Sequence, residues 1–456
     1  MSIFDTWIDN IALRMANILT DRGKDVIATR EFRKGNQPRQ LRVRADKGQF
    51  DDNLIINFTG LVEDRTVSQM FGTGIKLDFE GDEKVKTPQE EWVLGLLNAN
   101  HQEKLWYNAK QYAGDAGTGY FKIVEKGITG EDNIVYPRII PVDPAFVTIQ
   151  TDREDVDRVT AYIIEYVIKD GNKEMVRKQT TTLQGEGRWL VTDEISKNGG
   201  KQFENFTEPV TLDYCPMVHW QNLPKAGSQE GEPDIKETDK ELQNRLNFTT
   251  SNISKIIRLY AHPMRYVIGG TVGKNPDASP DSLLNITGEG ASVGQFEPLG
   301  DLNAAMAFLK FLKQCYFDIT RTVDIDSLED KLGALTNFAL KVIYQDNESK
   351  INTMRAMMGE AIKTTIMRCQ RVAGLQPLPC EIVWPDFIPV NNKEISENIR
   401  ADVKDGLLDK ETAISEEGRD PQKIKERLDA EGQANAQNET NVGGLALQNW
   451  MKNLGV

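Results

Sequence analysis

The chain has 456 residues, a formal net charge of −14, 39% hydrophobic residues and 27% charged ones. That length exceeds one simple core and predicts about two to four subdomains, and the acidic balance excludes a protein that grips nucleic acid with its whole surface. Cys215, Cys315, Cys369 and Cys380 show neither a C-x-x-C nor a metal spacing, which predicts a reduced cytoplasmic setting, and no apolar run is long enough for a membrane-spanning helix.

The chain opens with Phe4, Ile8, Ile11, Met15 and Ile18 at helical spacing, interrupted by Asp5, Asp9 and Arg14. This predicts an amphipathic helix and not a secretory leader. Residues 21–52 are polar and basic (Arg30, Arg33, Lys34, Arg39, Arg42, Arg44) and read as a mobile arm or loop. Asn53 to Gly74 reads as a short strand and a helix closed by Gly72 and Gly74. Pro88 to Gly114 reads as one helix with Pro88 in its first turn.

From Tyr120 to about Trp220 the period changes to two. Strands are expected at Tyr120–Lys126, Arg138–Val142, Phe146–Gln150, Thr160–Lys169, Lys173–Gln179 and Met217–Gln221, with a hairpin turn at Asp170-Gly171-Asn172. Residues 222–233 are Gly and Pro punctuation before three long helical patterns.

The first pattern, Asp234 to Tyr260, places Ile235, Leu242, Thr249 and Ile256 seven apart, with Leu246, Ile253 and Tyr260 offset by four. Two such rows make one narrow seam that packs against another helix. The helix ends at Ala261-His262-Pro263, because the residue before a proline avoids the helical region. The second pattern, Leu302 to Thr322, carries Met306, Leu309, Leu312, Tyr316 and Ile319. The third, from about Ala334 to Val372, repeats Ile351, Met354, Met358, Ala361, Thr365, Cys369 and Val372. Rods of roughly 40 Å and 31 Å for the first two suit a wall of stacked helices better than a small monomer. Between them, Met264 to Gly300 holds strand-like pieces at Arg265–Ile268, Leu283–Ile286 and Ser292–Phe296. A strand at Glu381–Val390 and helices at Lys393–Asp405, Asp409–Glu417 and Pro421–Glu431 follow. Beyond Gly432 the composition is that of a flexible tail.

Catalytic motifs fail on inspection. Gly290-Ala291-Ser292-Val293-Gly294 matches a nucleophile elbow, but Pro298 follows and the last histidine, His262, precedes Ser292. Gly269 to Lys274 lacks the first glycine and the magnesium-binding hydroxyl of a phosphate loop, with Ile268 and Asn275 in those places. His101, His219 and His262 are scattered, and acidic pairs such as Asp324/Asp326 read as solvated loops. No enzyme, cofactor or metal is expected.

The order of segments resembles the portal proteins of tailed double-stranded DNA bacteriophages, of the siphophage type. The resemblance runs through Asn57–Leu77, Pro216–Asp234, Asn337 to Lys341, Trp384–Asn391 and Gly406–Thr412, and covers about residues 50–430. Asn337 and Phe338 stand where the family commonly has Ser and Gly.

What the resemblance implies is an α+β portal fold. It has long stem helices, a β-rich wing subdomain, a small α/β clip insert and a helical C-terminal crown. The wing would be 1–233 with 336–390, the stem 234–261 and 301–323, the clip 262–300, the tunnel loop 324–335 and the crown 391–432. It further implies a ring of twelve copies, assembled in the host cytoplasm and placed at one capsid vertex of the virion. Double-stranded DNA would enter and leave through it. Its partners would be the terminase large subunit, a head–tail adaptor, and the major capsid and scaffolding proteins, with no membrane. Asp324, Asp326, Glu329, Asp330, Lys331 and Gly333 would face the channel. Leu242, Leu246, Ile253, Ile256, Met306 and Leu309 would pack stems between subunits, and Tyr266, Lys274, Asp277, Asp281 and Phe296 would meet partners at the clip. The alternatives are a scaffold protein with no DNA conduit and, more remotely, a hydrolase using Ser292.

Overall fold

The computed structural model describes residues 19–42, 50–79, 86–170, 173–197, 200–261, 265–269, 271–272, 286–288, 290–295, 302–326, 328, 335–416, 418 and 420–427. The chain divides into two units, Met1–Ile325 with Gln345–Phe387, and Asp326–Tyr344 with Ile388–Val456. The expected helix over Phe4 to Ile18 and the expected tail beyond Gly432 lie outside the described residues.

In the first unit, helix α1 (Asp21–Arg33) is capped by the Thr20 side chain, which accepts from Gly23 N, and it buries Val26, Thr29 and Phe32. This corrects the reading of residues 21–33 as part of a mobile arm or loop, while residues 34–42 and 50–52 lie outside any helix or strand and 43–49 lie outside the described residues. The basic residues that made α1 look like loop are neutralised by carboxylates far along the chain. Arg30 pairs with Asp143 at 2.7 Å, and Arg30 and Arg33 both pair with the buried Asp115, at 3.0 and 2.8 Å. Residues 54–56, outside any helix or strand, lead into helix α2 (Phe58–Phe71), and strand β1 (Lys76–Phe79) follows.

The region read as one helix is two. Helix α3 (Pro88–Ala99) starts at a capping box between Thr87 and Glu90, with Pro88 in its first turn. Helix α4 (Gln102–Ala116) begins after a break at His101, which adopts the left-handed backbone (φ 51°).

Strands β2 (Thr118–Thr129) and β3 (Val135–Val142) form a hairpin. Strands β4 (Val147–Thr151), β5 (Val159–Asp170), β6 (Lys173–Gln184), β7 (Arg188–Ser196) and β8 (Glu204–Leu212) make an antiparallel sheet in that order. The pairing of β5 with β6 closes at Asp170 opposite Lys173, as the turn chemistry predicts. Strand β9 (Met217–Gln221) returns beside β2, giving the order β3-β2-β9. Strands β7 and β8 and the extension of β2 to Thr129 were not expected from the sequence.

Helix α5 (Glu237–Ala261) starts three residues later than expected. Strands β10 (Arg265–Ile268) and β13 (Ser292–Gln295) pair antiparallel, and β11 (Thr271–Val272) pairs with β12 (Ile286–Thr287). Ser292 is a strand residue opposite Ile268, which removes the nucleophile-elbow reading. Helix α6 (Leu302–Ile319) precedes helix α7 (Asn337–Val372), a 36-residue rod. Strand β14 (Cys380–Val383) pairs with β1 and is shorter than the expected Glu381–Val390, because Pro385 and Pro389 end the ladder.

The main core packs α3, α4, the β3-β2-β9 sheet, β14 and one face of α7. Phe121 stacks on Trp220 at 4.5 Å and meets Trp106 edge-on. The α7 face is the one read from periodicity: Ile351, Met354, Met358, Ala361, Thr365 and Cys369 are all buried. Arg355 donates to the carbonyls of Gln69, Met70 and Pro385 and lies over the Trp384 and Phe387 rings, so a cation caps the C-terminus of α2.

In the second unit, Thr336 caps the first turn of α7. The Asn337 amide exchanges hydrogen bonds with the backbone of Asn391, its Oδ1 accepting from Asn391 N at 2.7 Å. An asparagine therefore has work to do where the resemblance leads one to expect serine. Helix α8 (Asn392–Lys404) and helix α9 (Lys410–Glu416) follow, capped by Asn391 and Asp409, and residues 421–427 are helical behind Asp420.

Candidate assembly face, charge centre and channel loop

Helices α5 and α6 pack on each other and on α2. Ile235 and Leu246 join Leu312, Tyr316, Phe317 and Val62 in one apolar cluster, with Leu242 and Leu309 against it. Leu246 and Ile253 are therefore core residues of the protomer, 1% and 6% exposed, and not surface left over for a neighbour. Ile256 is half-buried, and Met306 is exposed.

The outer face of α6 is different in kind. Ala304, Ala307, Phe308 and Phe311 recur at three- and four-residue spacing, Ile319 follows eight further on, and all are exposed, Phe308 by 44% and Phe311 and Ile319 by 56% each. The rings of Phe308 and Phe311 stack at 6.5 Å. An apolar stripe along a helix whose opposite face is already buried marks a contact surface.

A second face of α5 is polar and yet buried. Gln243, Asn247 and Ser251, four apart, pair with the backbone of residues 54–56. Ile56 N donates to Asn247 Oδ1 at 3.0 Å, Leu54 N to Ser251 Oγ at 2.9 Å, and Gln243 Nε2 to Ile56 O at 2.6 Å. Arg258 completes the row with two bonds to Asp52, at 2.7 and 2.6 Å.

Just before α5 lies a buried charge centre. Lys110 Nζ reaches Asp234 Oδ2 at 2.5 Å, and Asn222 Nδ2 donates to Asp234 Oδ1 at 2.9 Å. Burial alone would raise the Asp234 carboxyl, but Lys110 and Lys350 hold it well below the usual carboxylate range. Burial likewise would lower Lys110, and the charge of Asp234 keeps it above its ordinary value. Burial pushes the Glu63 carboxyl well up, and Asp234 pushes the same way. Gly114 is where these carboxyls meet the α4 backbone: a Cβ there would come within 2.3 Å of Glu63 Oε1 and 2.7 Å of Asp234 Oδ2. None of this centre was picked out from the sequence, since isolated Glu, Lys and Asp residues carry no period that announces burial.

Of the residues expected to face a channel, Asp324 pairs with Lys313 at 3.1 Å within the protomer, and Asp326 is exposed. Glu329, Asp330, Lys331 and Gly333 lie outside the described residues. Of the expected clip residues, Tyr266 stands on β10 opposite Gly294, and Lys274, Asp277, Asp281 and Phe296 lie outside. Among the described residues no group of His, Cys, Asp and Glu could hold a metal ion, and no helix is long and apolar enough to cross a membrane.

A mixed α and β chain with a long helical rod and an apolar stripe on the outside of a helix pair is the outline of a structural subunit. The family model described as phage portal protein, SPP1 Gp6-like, matches residues 16–438, and the chain belongs to that family. No curated protein matches it. Membership makes this a bacteriophage portal protein, of a structural family associated with the capsid vertex.

Proposed function

We propose that the chain assembles into a closed ring, of twelve copies by family resemblance, that forms the conduit for double-stranded DNA during packaging and ejection. The portal fold assigned from the sequence goes with this reading: wing, stem, clip, tunnel loop and crown in the order given above. The terminase large subunit and the head–tail adaptor dock on the clip, and capsid and scaffolding proteins surround the wing. The observation that supports the ring is the exposed stripe on α6. The inward row on α5 closes the protomer, and the outward stripe on α6 is left to meet the next subunit. A heterologous contact of this kind generates a ring when its rotation closes.

The test is Phe308→Asp with Phe311→Asp. Both side chains are exposed in the protomer, so the variant keeps its circular dichroism and melting behaviour. Each charge placed in an apolar contact costs on the order of 2 kcal/mol or more and recurs at every interface of the ring. Native mass spectrometry and negative-stain imaging should show monomers where the wild type shows rings. Intact rings from the double variant would take the stripe out of the interface. Wild-type rings that support capsids without packaging DNA would favour the scaffold reading.

A further inference from the structure

The chain leaves α6 through a turn that is held from outside. Arg321 N donates to Asp318 O at 3.1 Å and Thr322 N to Phe317 O at 2.9 Å, the two bonds that close a helix through a residue in the left-handed conformation. That residue is Arg321, with φ 55°, where glycine is the usual choice. A strained backbone at a non-glycine residue persists only when its surroundings over-determine it.

Here the surroundings are α7 and α2. The Arg321 guanidinium makes two bonds to one residue, Nε to Asp346 Oδ1 and Nη2 to Asp346 O, both at 2.9 Å. Asn347 Nδ2 donates to Arg321 O at 2.8 Å, and the buried Lys350 ammonium donates to Thr320 O at 3.0 Å. Arg65 Nη1 reaches Val323 O at 3.1 Å. Residues 346, 347 and 350 lie within one turn of α7, so three side chains of one helix hold the last carbonyls and the left-handed residue of another. Glycine would form this turn without strain but could not reach Asp346. An arginine here supplies the tether that glycine cannot.

The geometry points to Arg321 as a positioning residue: its tether to Asp346 fixes the direction in which residues 322–325 leave α6, and DNA packaging depends on that exit. The part that concerns DNA rests on the portal reading; the tether itself does not.

The experiment uses the full chain in three variants: Arg321→Gly, Asp346→Ala, and the exchange of Arg321→Asp with Asp346→Arg. Glycine relieves the backbone, and aspartate tolerates the left-handed region, so all three should fold with an unchanged melting temperature and form rings. Hydrogen exchange of peptides spanning 317–326 is expected to quicken about tenfold at Thr322 in Arg321→Gly and Asp346→Ala, and to return toward wild type in the exchange variant. DNA length per capsid should change in the two single variants and recover in the exchange. Unchanged hydrogen exchange in both single variants would overturn the tether. Quickened exchange with normal packaging would overturn the positioning role. Failure of the portal reading would look different, since wild-type protein itself would then form no rings.

Discussion

Glu63 has a fully buried carboxyl beside a second carboxylate, and that fixes the sign of its contribution to stability. Burial and the charge of Asp234 hold its proton on in the folded chain well above the pH at which an unfolded glutamate releases it. Below about pH 4.3, the ordinary glutamate value, both states carry the proton and the group is neutral to the balance. As pH rises, the unfolded chain lets the proton go first, so this group's contribution falls until the folded pKa is passed. Glu63→Gln keeps the shape and removes the titration. Its melting temperature should exceed that of wild type by on the order of 2 °C at pH 8, with the difference vanishing near pH 4.5. Glu63→Ala should be less stable at both pH values, because it leaves a cavity beside Gly114. An equal melting temperature for wild type and Glu63→Gln across that range would mean the carboxyl is not held neutral.

At the scale of elements, α5 shows what periodicity reveals and what it conceals. Its apolar rows were legible because Leu242, Leu246 and Ile253 repeat at helical spacing, and they do enter a core. Its polar row was not legible. Gln243, Asn247 and Ser251 also repeat at helical spacing, and in a sequence such a row reads as the solvent face. It is buried because residues 54–56 cross it outside any helix or strand, and their N–H and C=O groups must be paired somewhere. Asn247 serves three neighbours at once: its Oδ1 accepts from Ile56 N and Gln243 Nε2, and its Nδ2 donates to Gln37 Oε1. Asn247→Leu, which a seam argument would accept as harmless, should therefore cost about 3 kcal/mol through orphaned buried groups. Urea unfolding that shows a loss under about 0.5 kcal/mol, the size of an ordinary surface change, would return the row to solvent. The same limit hid α1, whose arginines find Asp115 and Asp143 across 82 to 113 positions of sequence. It hid Arg321 as well, since nothing local marks an arginine that will take a glycine's backbone. Strands β7 and β8 escaped notice for another reason: most of β7 is only half-buried and eight of the nine residues of β8 are exposed, so neither shows a clean alternation.

For the whole molecule, charge and apolar surface oppose each other during assembly. Each copy brings a formal charge of −14, so bringing copies together is resisted by like charge over the range of the screening length. The α6 stripe attracts by removing apolar surface from water, a force that salt does not screen. Screening shortens from about 10 Å at 0.1 M to about 3 Å at 1 M ionic strength. If Phe308, Phe311 and Ile319 carry the contact between subunits, added salt weakens only the repulsion. The fraction of protein in rings at fixed concentration should then rise with NaCl, and the Phe308→Asp, Phe311→Asp variant should stay monomeric throughout. If ion pairs between subunits carried the contact instead, the same titration would run backwards, and rings would dissociate toward 1 M. Sedimentation velocity at several NaCl concentrations separates the two. A ring fraction that falls as salt rises would move the interface from the α6 stripe to the charged residues around it.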